Sequence, residues 1–188
     1  MKLKHIVLTL LLSSSYLLNA QDNSKAKLIG GMYVHSGYLG NIKDLSYGLG
    51  GKLSFRLNEY FRIGGEGYGS SSEFKKDGSF YSIGWGGVLG EFIIADIKKT
   101  NILIGFTIGG AVNKQMDIIK KTDEIGMPDM VFWEKESTMI ISPFLSFEYA
   151  VSKKANLSLK FDYLISPTND IFNSGLRVYI GCLFNMIG

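Results

Sequence analysis

Residues 45–71 read LSYGLGGKLSFRLNEYFRIGGEGYGSS, and their period decides the fold. Taken two at a time, Tyr47, Leu49, Gly51, Leu53 and Phe55 fall on one side. Ser46, Gly48, Gly50, Lys52, Ser54 and Arg56 fall on the other. Side chains of a strand alternate with period two, so this arm is a strand with one apolar and one polar face. Leu57-Asn58-Glu59-Tyr60 reads as a tight turn. The arm beyond it carries Arg62, Glu66 and Tyr68 on one face, with Phe61, Ile63 and glycines on the other. Two long alternating arms across a short turn form a hairpin.

The same pattern recurs on both sides. Upstream, 27–37 is a strand whose faces differ little in polarity: Leu28, Gly30, Met32 and Val34 oppose Ile29, Gly31, Tyr33 and His35. Downstream, strands are expected over 79–93, 101–113, 138–151, 156–166 and 175–187. The alternation is cleanest in 156–166, where Leu157, Leu159, Phe161 and Tyr163 oppose Ser158, Lys160 and Asp162. In 138–151, Leu145 and Tyr149 oppose Ser142, Ser146 and Glu148; in 175–187, Val178, Ile180 and Cys182 oppose Arg177 and Tyr179. In 79–93, Tyr81, Ile83, Trp85 and Leu89 form the apolar face against Ser82, Gly84, Gly86 and Gly90. Glu91 shares the apolar face by strict parity, so a bulge or the strand end is expected there. The result is eight strands of roughly 10–14 residues. The globular norm is about 5–6, and a tilted membrane strand needs about 9–11. Connections at 57–60, 96–100 and 152–155 are short, whereas those at 38–44, 72–78, 114–137 and 167–174 are longer on average. The two sets belong on opposite rims.

Met1-Lys2-Leu3-Lys4-His5 is a basic start followed by an apolar run to Leu18 and a small residue at Ala20. That is the pattern of a secretory signal peptide cleaved after about Ala20. Residues 1–20 are therefore read as leader and 21–188 as one barrel domain. Removing the leader's two lysines from 20 basic residues leaves 18 against 17 acidic, a net charge of +1, which gives no basis for a nucleic-acid partner. The single Cys182 excludes an internal disulfide. One histidine and one cysteine on distant strands lack metal-ligand spacing, and no cofactor motif is visible. Gly64-Gly65-Glu66-Gly67 and Gly84-Trp85-Gly86-Gly87 lie inside strands, where glycine marks bends and close packing.

Alternation alone does not decide which side of a barrel is wet. A soluble barrel places its apolar face inward. Here the leader, the long strands, the alternation of short and long connections, and aromatics near strand ends favour the inverse. Those aromatics are Phe55, Tyr60, Phe61, Tyr81, Tyr149 and Tyr163. In hydrocarbon every backbone polar group needs an internal partner, so such a sheet must close.

With these residues in place, 27–188 resembles the small outer-membrane β-barrels of the OmpA/OmpX type. The resemblance implies an all-β, eight-stranded antiparallel up-and-down transmembrane β-barrel in a Gram-negative cell outer membrane, with lipid around it. Tyr179-Ile180-Gly181-Cys182-Leu183-Phe184-Asn185-Met186 resembles the signal read by the barrel assembly machinery, although Ile187 and Gly188 stand where the usual terminal aromatic would be. The role expected is structural or interactive, with binding through surface loops.

Three groups of residues could carry more than structure. The inward face is expected to hold Lys52, Arg56, Arg62, Lys160 and Arg177 with Glu66, Glu148 and Asp162. Buried charges must pair, so these form either a polar plug completed by Tyr68 and Tyr179 or the lining of a narrow pore. His35 is the only imidazole of the mature chain, and some small barrels are lipid-modifying enzymes with Ser and His at the outer rim. Ser36 would point away from it, leaving Ser70, Ser71 or Ser174 as partner. The 114–137 connection is unusually apolar, with Met127, Met130, Phe132 and Trp133 as contact candidates for a surface ligand or protein. Gly126-Met127-Pro128-Asp129 reads as a turn, so this segment is either a protruding hairpin or a lid over the mouth.

Overall fold

A computed structural model describes residues 27–39, 44–73, 79–119, 130–167 and 175–187. The expected leader lies outside them. Eight strands follow one another: β1 (Lys27–Leu39), β2 (Asp44–Arg56), β3 (Phe61–Glu73), β4 (Phe80–Ile97), β5 (Thr100–Ile119), β6 (Met130–Ala150), β7 (Ala155–Leu164) and β8 (Gly175–Ile187). Each pairs antiparallel with its neighbours in sequence, and β1 pairs with β8, closing the barrel. Closure removes both sheet edges, so the ladder satisfies its own backbone groups.

Three tight turns gather at one rim. In the β2–β3 turn, the Asn58 side-chain oxygen accepts from the backbone N–H groups of Tyr60 (2.9 Å) and Phe61 (2.8 Å). Ser152 does the same for Lys154 and Ala155 in the β6–β7 turn. The β4–β5 turn is closed by Lys98 and Lys99, with Lys98 at φ 55°.

The exterior is apolar. Met32, Leu49, Ile104, Phe106, Leu159 and Ile180 are all exposed. On β5 the outward apolar positions run from Ile102 to Val112, and on β6 from Tyr149 to Met139. At about 3.3 Å per residue and a tilt of about 40°, ten residues span about 25 Å, the height of a lipid-facing band. A continuous apolar girdle of this size is suited to hydrocarbon rather than water.

Two sequence expectations need correction. β4 is turned the other way: Tyr81, Ile83, Trp85 and Leu89 are buried in the lumen, and Ser82, Gly84 and Gly86 face outward. Tyr81 therefore belongs to no girdle. Glu91 keeps this parity, fully buried and paired in register with Gly105. The irregularity in the β4–β5 ladder falls instead between Ile93 and Ala95. The second correction concerns length. β5 and β6 reach 20 and 21 residues and stay in register from Thr100↔Tyr149 to Ile119↔Met130. Most of the expected long connection is thus a protruding hairpin.

Candidate functional site

The lumen is filled in layers by side chains from every strand. Nearest the short turns, Lys52 donates to Glu91 Oε1 (2.6 Å) and Glu148 Oε1 (3.0 Å). Arg62 donates to Glu148 Oε2 (2.8 Å) and lies 3.9 Å from Glu91 Oε2. Four charges from β2, β3, β4 and β6 thereby close a ring. Above it, Lys160 donates to both oxygens of Glu66 (2.7 and 2.6 Å). Thr107 and Tyr68 also donate to that carboxylate. The Lys160 ammonium sits 4.4 Å from the Phe144 ring centroid, with Tyr68 and Tyr179 beside it. Higher still, Asp162 accepts from Tyr179 (2.6 Å) and Ser142 (3.0 Å). Arg177 stacks over Trp85 at 4.6 Å.

Among the described residues, four bases (Lys52, Arg62, Lys160, Arg177) and four acids (Glu66, Glu91, Glu148, Asp162) are buried. Arg56 is not with them. It lies at the turn rim, donating to the carbonyls of Asn58 (3.2 Å) and Glu59 (2.8 Å). Sequence reasoning missed Glu91 because parity set it on the same face as Tyr81 and Trp85, which was expected to meet lipid; assigning β4 by its charge rather than its aromatics would have found it. Trp85 was missed for the same reason. The four bases and four acids cancel in charge; Lys52, Arg62 and Lys160 are ion-paired, whereas Arg177 is held by the Trp85 face and the Gly175 carbonyl (3.3 Å).

His35 is 3% exposed and sits inside the barrel rather than at its rim. Its ring packs on Trp85 (5.0 Å), Tyr179 (5.0 Å) and Tyr68 (5.7 Å). Gly48 separates it from Ser70 in register, and a side chain at Gly48 would collide with His35 Nε2 and Ser70 Cβ together. The two side chains thus adjoin, both buried, with Trp85, Tyr179 and Tyr68 packed on the imidazole; Ser70 and Gly48 also line a groove of about 560 Å³ beside Tyr47 and Val34. Ser71 faces outward, and Ser174 lies outside the described residues. No group of three His, Cys, Asp or Glu among the described residues is placed to hold a metal.

The hairpin is the other candidate. Val131, Phe132 and Trp133 are 50%, 54% and 65% exposed, on both of its faces. Trp133 meets Phe80 edge-on at 5.8 Å, which anchors the hairpin's base to β4. Met130 opens β6, and Met127 lies outside the described residues.

No protein-family model matches the sequence, and no curated protein matches it. Solved structures do match. Neisserial surface protein A superposes with a TM-score of 0.60 at 8% identity, over 85% of this chain and 96% of that one. The attachment invasion locus protein Ail of Yersinia pestis gives 0.53 at 9%, over 87% and 98%. The N-terminal β-barrel domain of OprF from Pseudomonas aeruginosa gives 0.51 at 7%, over 86% and 98%. The fold is that of the small eight-stranded outer-membrane barrels. In this barrel side chains fill the lumen, the wall is apolar, and among the described residues Val131, Phe132 and Trp133 stand exposed on the β5–β6 hairpin.

Proposed function

We propose that this chain is an outer-membrane β-barrel that binds a surface partner through the β5–β6 hairpin, with the barrel as its anchor. The observation that carries this is the exposure of Val131, Phe132 and Trp133 beyond the apolar band. Exposed apolar and aromatic side chains on both faces of a hairpin beyond the band are what a contact site offers. The internally balanced lumen supports an anchor rather than a conduit. The apolar wall and the assembly-type last strand support placement in the outer membrane, with lipid and the assembly machinery as partners. Among proteins of this fold, Ail is by name an attachment protein.

The test is attachment of bacterial cells displaying the barrel to surfaces coated with extracellular-matrix protein. Cells carrying V131S/F132S/W133S should attach at least several-fold less, with unheated samples still migrating as folded barrel on SDS gels. Equal attachment by the triple variant, or wild-type cells that attach no better than cells lacking the chain, would overturn the hairpin's role. Recovery of the protein in the soluble periplasmic fraction would overturn the membrane placement separately.

A further inference from the structure

Lys114 on β5 and Lys135 on β6 stand directly opposite each other on the outward face. Like charges in that arrangement repel, so the pair is unfavourable unless an anion sits between them. They are the first charges above the apolar band: Val112 lies below Lys114 on β5, and Ser137 and Met139 lie below Lys135 on β6. The outward positions around them, Ser82, Val112, Met116, Trp133 and Ser137, carry no carboxylate.

Below the lysines the wall is hollow. A groove of about 400 Å³ is lined by Gly69, Ser82, Gly84, Val112, Lys114 and Lys135. It runs into a second of about 560 Å³ that shares Gly69 and Ser82 and extends past Ser71 to Tyr47 and Val34. The glycines here differ from others in the barrel. A Cβ on Gly87 or Gly109 would overlap the backbone of the neighbouring strand, so packing forbids a side chain there. A Cβ on Gly69 would meet nothing within 4 Å, and on Gly67, Gly84 or Gly110 nothing nearer than 3.8 Å. Barrel packing does not require glycine at these four positions, and two of them, Gly69 and Gly84, line the trough.

We propose that this trough holds one phosphate-bearing lipid of the surrounding leaflet. Its phosphate lies between the Lys114 and Lys135 ammoniums with Ser82 beside it, and an acyl chain runs along the glycine floor. Charge complementarity selects the headgroup, and continuity with the apolar band selects a lipid over a free anion. The inference rests on the membrane placement above but not on the hairpin's partner.

Native mass spectrometry of the barrel in an uncharged detergent, titrated with dipalmitoyl phosphatidic acid, tests it. A single lipid adduct is expected, and dipalmitoylglycerol, which lacks the phosphate, should give none at the same concentration. K114Q/K135Q should weaken the adduct at least tenfold. Filling the trough with G69L/G84L should weaken it similarly, while L157A, exposed on β7 across the barrel from the trough, should change it less than twofold. Heat-dependent gel migration confirms folding of each variant; if the leucine variant does not fold, the lysine variant alone decides. An adduct that survives K114Q/K135Q, or one abolished by inorganic phosphate and untouched by a folded G69L/G84L, would overturn the lipid site.

Discussion

β4 and β7 share the same period and carry opposite polarity. On β7, Leu157, Leu159 and Tyr163 face out, and Ser158, Lys160 and Asp162 are buried. On β4, Tyr81, Ile83, Trp85 and Leu89 are buried, and the outward positions beside them include Ser82, Gly84 and Gly86. The difference teaches that the interior of a narrow barrel is defined by volume and charge pairing rather than by polarity. An eight-stranded lumen must be filled by its own side chains. The charges of β2, β3, β6 and β7 leave space near Arg177 and His35, and Trp85 of β4 occupies it. Glu91, on the same face of β4, supplies the carboxylate that Lys52 needs.

The sharpest way to break this comparison is the sign of E91Q. If β4 faces as described, the change leaves Lys52 and Arg62 sharing Glu148 alone. Loss of a buried partner costs about 3–5 kcal/mol, read as a fall in the urea midpoint of barrels refolded into vesicles. With β4 reversed, Glu91 would lie in lipid and the same change would stabilise the barrel. Next in size, L159R on β7 should cost about 2–4 kcal/mol in the same assay, because it places a guanidinium in hydrocarbon near mid-membrane. Trp85 is the outcome-reversing control: W85L should cost less than L159R, since it keeps the lumen apolar at that position. The smallest contrast lies within the glycines. G109A should cost about 1–3 kcal/mol, because the new methyl meets the Gly86 and Gly87 backbone. G69A, facing open space, should stay within about 0.5 kcal/mol. Equal effects would remove the distinction between packed and trough-forming glycines.

Eight strands and their order were legible in the sequence because most arms set charges against aliphatics. The faces of β2, β3, β7 and β8 follow from Lys52, Glu66, Lys160 and Arg177 alone. β1 was ambiguous because Met32 and Val34 differ little in polarity from Tyr33 and His35; its register with β2 and β8 settles it, with Tyr33 buried and Met32 exposed. β4 misled because aromatics that fill a lumen look like aromatics that face lipid. The upper arms of β5 and β6 were read as connection because no core lies beside them to impose a period. There the ladder between Lys114↔Lys135 and Ile119↔Met130 supplies the order. In the lumen, five bases against three acids was an accounting error at two positions, Arg56 and Glu91. Moving one out and the other in gives four against four.

The lumen's pairings also bear on how the barrel is built. Glu66 on β3 is neutralised by Lys160 on β7, and Arg62 on β3 and Lys52 on β2 by Glu148 on β6. The partners lie 86 to 96 residues apart in the chain. A half-formed sheet of β1–β4 resting in hydrocarbon would hold Glu66 without its ammonium and Arg62 without its nearest carboxylate, at several kcal/mol for each stranded ion. The early strands therefore have to wait in a wet or chaperoned setting until the late ones arrive. For this sequence, closing the cylinder and crossing into the bilayer are expected to be a single concerted event.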